Sequence, residues 1–327
     1  MTIDRRRMLA LGAGTAALAA AGAVGVPSPA SAWPDRDDLP SDRELARSLR
    51  GFRSHRATVN GTRLHYVAGG RGEPLVLLHG WPQTWWEYRK VMPELARHYR
   101  VIAVDLRGIG GSGKPVSGYE KKNMARDIYE LAGLLGYSEI NVAGHDIGSQ
   151  VAFSFAANHP EATRRVALLG ILHPDEGIYG IPLLPTTGGP GLWWHAFNQV
   201  QGLPEQLLSG RARHLIEWVL HDARVDQTVV SQRDRAIYAR AYDYPDAIRG
   251  SNGWFQAWHQ DIVDQRDYLV TSPMLGLAPT GFFFDIMNQV LPTRGTDVRV
   301  EPVDDTGHYF IEQRPETVVD AFIRFFG

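Results

Sequence analysis

The stretch AGHDIGSQVAF, residues 143–153, sets Asp146 between Gly144 and Gly148, just after the apolar run EINVA. Small residues on both sides of a central acid suit a sharp bend from strand to helix. Gly144-His145-Asp146-Ile147-Gly148 has the G-x-nucleophile-x-G form of an elbow, with aspartate where serine more often stands. Such a bend lifts the carboxylate to the top of a sheet, where N–H groups at the following helix start can stabilise charge on an oxygen. His145 adjoins Asp146, which suits a structural residue or a polar residue lining the substrate pocket better than a general base.

The surrounding chain supplies the scaffold that such an elbow needs. ATVNGTRLHYVAGG alternates around Asn60-Gly61 and predicts a hairpin. PLVLLHG, YRVIAVD, EINVA and RRVALLG predict buried strands, while KNMARDIYELAGLLG and SQVAFSFAANHP predict helices. Their alternation implies a largely parallel α/β sheet with helices on both faces. From residue 171 to 268 the pattern becomes Pro- and Gly-rich, then helical and aromatic, which predicts an inserted helical cap over a pocket. SPMLGLAP, DVRVEPV and ETVVDAFIRFF return to the strand and helix pattern. The expected core is therefore 33–170 plus 269–327.

Composition narrows the chemistry. The chain has 327 residues, 44% hydrophobic, with a formal net charge of −2, so one large core with an insertion is affordable in apolar area. So balanced a charge gives no reason to expect nucleic acid or an anionic membrane as partner. With no cysteine, disulfides and thiolate chemistry are excluded. The 12 histidines form no H-E-x-x-H spacing, and no metal or other cofactor is expected. Arg5-Arg6-Arg7, an apolar Leu/Ala/Gly run and Ala30-Ser31-Ala32 predict a twin-arginine-type signal over residues 1–32. Export machinery would then be a partner of the precursor, and the mature protein would be secreted, periplasmic or extracellular, from Trp33 onward.

Two further segments complete a catalytic set. VDDTGHYF places His308 after the last predicted strand, the chain order in which a late histidine serves an elbow nucleophile. HGWP, residues 79–82, ends an early strand, so the N–H groups of Trp81 and Ile147 are the candidate oxyanion donors, and Pro82 suits a fixed, cis turn.

HGWPQTWWEYR, DLRGIGGSG, GHDIGSQVAF and GHYFIEQRPE together resemble the epoxide-hydrolase-like branch of the α/β-hydrolase family, from about Phe52 to Phe326. The resemblance implies an α/β-hydrolase sheet with an inserted, mainly helical cap. It also implies that Asp146 attacks an epoxide carbon to form an ester, which His308-activated water hydrolyses to a diol. The substrates would be a small or medium apolar epoxide and water. In GPGLWWHAFNQ, His195 resembles one of the cap donors to the epoxide oxygen, and Trp194, Trp254, Phe255 and Trp258 join His145 as candidate substrate-binding residues.

Two positions depart from the family. The acid that orients the histidine is expected in RVALLGILHPD or PMLGLAPTGFFFD, where Gly170 and Phe282 stand instead; Asp285 is the candidate replacement, ahead of Asp175, Glu176, Asp304 and Asp305. In SNGWFQAW, Phe255 occupies the place of a donor tyrosine and has no hydrogen to donate. Competing expectations are a haloalkane or haloacid dehalogenase using the same aspartate, and a noncatalytic ligand-binding descendant. Ile147 differs from the tryptophan that haloalkane dehalogenases commonly place after the nucleophile.

Overall fold

Asn60 and Gly61 both take left-handed backbone (φ 43° and 70°), closing the predicted hairpin between β1 (Arg53–Val59) and β2 (Thr62–Gly70). This computed structural model describes residues 33–34, 36–180, 183–184, 191–222 and 228–327; the predicted signal lies outside the described residues. Beyond the hairpin come β3 (Glu73–Leu78), β4 (Tyr99–Asp105), β5 (Ile140–His145), β6 (Thr163–Leu169), β7 (Met274–Pro279) and β8 (Val298–Val303). The eight strands lie in the order β1-β2-β4-β3-β5-β6-β7-β8. β2 runs antiparallel to both neighbours and every other pairing is parallel. Every residue of β5 and β7 is buried, as expected for inner strands of a parallel sheet.

The core helices are α1 (Asp42–Ser48), α2 (Met92–Leu95), α3 (Lys121–Leu134) and α4 (Ile147–Asn158). Between β6 and β7 the chain builds the helical cap: α5 (Trp193–Gln199), α6 (Leu203–Leu208), α7 (Ala212–Asp222), α8 (Gln232–Ala241), α9 (Pro245–Gln256) and α10 (Trp258–Asp264). Then follow α11 (Phe282–Val290), α12 (Phe310–Gln313) and α13 (Pro315–Phe326). This is the α/β-hydrolase sheet with an inserted helical cap. The sequence patterns of PEQLLSGRARHLIEWVL and SNGWFQAWHQDIVDQ each predict a helix, and both helices differ in the structure. PEQLLSGRARHLIEWVL is two helices, because Gly210 is left-handed (φ 70°) between α6 and α7. SNGWFQAWHQDIVDQ starts earlier, at Pro245, a residue suited to a first helical turn, and breaks at Ala257.

Buried polar contacts seat the cap on the core. Lys121 Nζ, fully buried, bonds Asp261 Oδ2 at 2.7 Å and the Trp254 carbonyl at 2.6 Å. On another side, Arg89 bonds Asp234 on α8 at 2.9 Å and Glu312 on α12 at 2.7 Å. Breaking one partner of such a pair strands the other charge, so these contacts fix where the cap sits.

Candidate active site

Asp146 stands at the turn between β5 and α4 with φ 52° and ψ −118°, a strained conformation for a residue with a side chain. The flanking glycines make the bend possible. A Cβ on Gly144 would lie 2.0 Å from the Gly148 carbonyl oxygen, and one on Gly148 would lie 2.1 Å from that of Leu78. The Trp81 N–H donates to Asp146 Oδ1 at 3.0 Å, and the Trp81–Pro82 peptide is cis. Ile147 opens α4, where first-turn N–H groups lack carbonyl partners from a preceding turn; the next N–H, of Gly148, is used by the His79 carbonyl at 3.1 Å.

His308 Nε2 lies 3.3 Å from the other carboxylate oxygen, Asp146 Oδ2, and both side chains keep about 15% exposure (15% and 16%). Burial pushes the Asp146 carboxyl up, but the His308 hydrogen bond, the two neighbouring histidines and the Trp81 N–H together hold it below the ordinary carboxylate range. The carboxylate is thus anionic at neutral pH, with one oxygen on a backbone donor and the other toward the histidine.

The far side of the His308 ring is different. Its Nδ1 is buried and has no hydrogen-bond partner among the described residues. Asp285 does not fill the role expected of it: it is exposed on the first turn of α11, and no hydrogen bond or ion pair joins it to His308 among the described residues. Gly170 lies against the His308 ring, since a Cβ there would come within 3.2 Å of His308 Cε1.

His145 is also corrected. It is fully buried beneath Asp146 and does not line a pocket; its Nε2 lies 3.0 Å from the His308 carbonyl and its Nδ1 3.4 Å from Glu87 Oε2. Burial disfavours its charge, yet Glu87 and Asp146 raise its pKa above the ordinary histidine value. Glu87, which sequence reading missed, is buried as well and accepts the Gly80 N–H at 3.2 Å. The tract HGWPQTWWEYR held it in view, but nothing in its spacing marks one glutamate as interior.

Above the elbow, aromatic rings form a cluster. Phe255 meets Trp81 edge-on at 5.5 Å and stacks on Trp258 at 5.9 Å, while His195 lies 3.9 Å from Trp258 between ring centroids. Burial, then the Lys121 charge, lower the His195 pKa to about 4, so its ring is neutral at neutral pH. The Gln199 amide nitrogen lies 3.0 Å from His195 Nε2 and donates to it, which puts the ring proton on Nδ1. Trp258 Nε1 is buried without a partner among the described residues. Two expected pocket residues sit elsewhere. The Trp254 indole is fully buried and donates to the Arg107 carbonyl at 2.9 Å, and Trp194 packs with Trp193 and Trp218. Three cap tyrosines are engaged elsewhere: Tyr238 bonds Glu312, Tyr242 bonds the Gln83 carbonyl, and Tyr244 is exposed under Arg36.

Asp42, His65 and Asp105 are the described residues whose donor atoms cluster as metal ligands might. Their atoms are already engaged: His65 Nδ1 with Asp105 Oδ2 at 2.8 Å, and Asp105 Oδ1 and Asp42 Oδ1 with the Trp85 backbone and indole N–H at 3.0 Å each. The cluster ties the DLRG loop to the strands.

Residues 73–210 match the family described as alpha/beta hydrolase fold. The chain is 34% identical to a soluble epoxide hydrolase of Corynebacterium sp. (strain C12) over 282 residues, covering 83% of this chain and 96% of that protein. It is 38% identical to a fluoroacetate dehalogenase of Burkholderia sp. over 129 residues, 38% of this chain and 42% of the relative. The crystal structure of Cfl2 from Burkholderia cenocepacia superposes with a TM-score of 0.78 at 30% identity, over 88% of this chain and 99% of that one. The chain belongs to the α/β-hydrolase fold family and, within it, is a close relative of the epoxide hydrolases.

Proposed function

We propose that this protein hydrolyses small or medium apolar epoxides to diols through an ester at Asp146. The observation that carries the reading is the strained elbow carboxylate, held anionic between the Trp81 N–H on Oδ1 and His308 on Oδ2. Oδ2 attacks an epoxide carbon; the new carbon–oxygen bond forms as the ring bond breaks, and the departing alkoxide takes a proton that ultimately comes from water. The neutral His195 N–H and the unpartnered Trp258 indole N–H suit hydrogen bonding to that oxygen better than outright proton donation. His308 Nε2 then takes a proton from water as the water oxygen attacks Asp146 Cγ. Negative charge develops on Oδ1, which already faces the Trp81 N–H, with the Ile147 N–H as second donor. Collapse breaks the bond from Cγ to Oδ2, His308 returns the proton to the diol, and the Asp146 carboxyl, now holding a water oxygen, releases that water's second proton to solvent, balancing the one taken by the first alkoxide.

The unpaired Nδ1 predicts a slow second step. To act as base, His308 needs its proton on Nδ1, and that N–H has no acceptor among the described residues. A buried unsatisfied donor costs about 1–3 kcal/mol, or roughly 5- to 150-fold in rate. Residues 33–170 and 269–327 would be the catalytic core and 171–268 its cap, exported behind the twin-arginine-type leader of residues 1–32.

A dehalogenase is the second reading, favoured by the fluoroacetate dehalogenase among the relatives and by the free Trp258 donor, which suits a halide as well. Intact-mass trapping with epoxides, alkyl halides, haloacids and activated esters decides between them. An adduct at Asp146 with diol release is expected from at least one apolar epoxide, and single turnover in heavy-oxygen water should label Asp146. Halide release with no epoxide reaction would move the assignment to dehalogenase, and ligand binding with no adduct would make the protein a noncatalytic binder.

A further inference from the structure

Glu87 and His145 lie directly behind the reacting groups, and the proposed reaction uses neither. Their side chains are each 1% exposed, and Glu87 Oε2 faces His145 Nδ1 at 3.4 Å. On the other side of the ring, His145 Nε2 faces the His308 carbonyl at 3.0 Å. Both ring nitrogens therefore look at acceptors. A neutral imidazole has one N–H and would set a lone pair against one of them; opposite an ionised Glu87, only the doubly protonated ring satisfies both. Two of the groups facing the ring favour that form by their negative charge, Glu87 on the turn Trp85–Lys90 and Asp146 on the elbow; its other titratable neighbours are the rings of His308 and Tyr309, on the loop after β8, and Tyr88 beside its backbone.

The same groups brace the rest of the site. Glu87 accepts the Gly80 N–H at 3.2 Å, and the Tyr309 hydroxyl donates to the Trp81 carbonyl at 3.0 Å. The His308 loop is thus held on its main chain, at the very residue whose ring lacks a partner on Nδ1.

We propose that Glu87 and His145 are positioning residues for water activation: a buried Glu87–His145 ion pair holds His308 by its backbone carbonyl, where relatives would hold the ring with an acid. This rests on the ester-hydrolysis reading for its kinetic consequence, but the protonation of His145 stands independently of any substrate. The charge-assisted N–H to the His308 carbonyl is stronger than a neutral one, and it fixes the loop that aims Nε2 at Asp146.

The test uses histidine ring-nitrogen NMR on the core chain from Trp33 onward and on Glu87→Gln, with the His145 signal assigned by its loss in His145→Gln. At about pH 7 the wild-type His145 should carry protons on both nitrogens, whereas an ordinary histidine is mostly neutral there; Glu87→Gln should remove one. With an epoxide that forms the ester, folded Glu87→Gln should slow ester breakdown by about tenfold or more and change ester formation by less than about threefold. Glu87→Asp, which keeps the charge, should recover part of the loss. A singly protonated wild-type His145 would overturn the ion pair. Unchanged ester breakdown in folded Glu87→Gln would overturn its positioning role. If no epoxide forms an ester, the epoxide reading fails while the NMR result still decides the pair.

Discussion

The two oxygens of Asp146 face two unequal halves of the site. On the Oδ1 side the strained elbow, the Trp81 N–H and the close-packed glycines are all in place. On the Oδ2 side His308 Nε2 faces the carboxylate, but its Nδ1 has no partner among the described residues, and Phe255 sets an aromatic edge against Trp81. The contrast teaches that nucleophile and base are separable investments. Attack requires an anionic, accessible carboxylate and a hydrogen bond to the departing oxygen; hydrolysis of the ester requires a histidine of defined tautomer.

The largest effect should come from removing the intact half. Asp146→Asn should abolish adduct formation, a loss of about 10⁴-fold or more, while leaving ligand binding measurable. Mass spectrometry of the trapped peptide checks this, with deamidation excluded; full activity in the variant would remove Asp146 as nucleophile. His308→Gln attacks the weaker half. Ester breakdown should fall by about 10²–10⁴-fold, with formation affected far less, so the adduct accumulates. Equal slowing of both steps would erase the proposed division between the two sides.

Sequence order revealed the intact half more fully than the weak one. The elbow, the HGWP turn and the late histidine are local signatures, because a sharp bend and a backbone donor demand particular residues at fixed spacing. The sheet, its hairpin at Asn60-Gly61 and the cap insertion followed from periodicity in the same way. Tertiary neighbours left no such trace. Glu87 reaches His145 across 58 positions, and Lys121 meets Asp261 across 140. Asp285 was chosen by proximity in sequence, but α11 turns it to solvent. Trp254 and Trp194 show the same limit: composition marks an aromatic cap, whereas which rings reach the pocket depends on helix rotation and on partners such as the Arg107 carbonyl.

Acid should separate the halves in a milder way. Because the Asp146 carboxyl is held below its ordinary range, ester formation should persist as pH falls through about 4, where a free aspartate is already half protonated. His195 has the opposite consequence for the cap. Its folded pKa of about 4 lies below the ordinary 6.5, so the unfolded chain binds the proton first as pH falls. The stability of the neutral buried ring is present above about 6.5 and declines toward 4. Thermal midpoints measured across that window should fall with acid, and His195→Gln should flatten the slope. An unaltered slope in that variant would remove His195 as a contributor.

The smallest change sharpens the comparison from the cap side. Phe255→Tyr places a hydroxyl among Trp81, His195 and Trp258, so it should raise ester formation on epoxides by about tenfold or less and leave ester breakdown nearly unchanged. Single-turnover rates for the two steps check it, and a gain confined to breakdown would contradict the assigned place of the leaving oxygen.

The most direct measurement is rapid-mixing mass spectrometry of the unaltered site with an apolar epoxide, following adduct and diol together. A complete nucleophile side and an unpartnered His308 Nδ1 predict a fast burst of ester at Asp146 followed by slow diol release. Diol appearing without an adduct, or an adduct that breaks down as fast as it forms, would contradict the account.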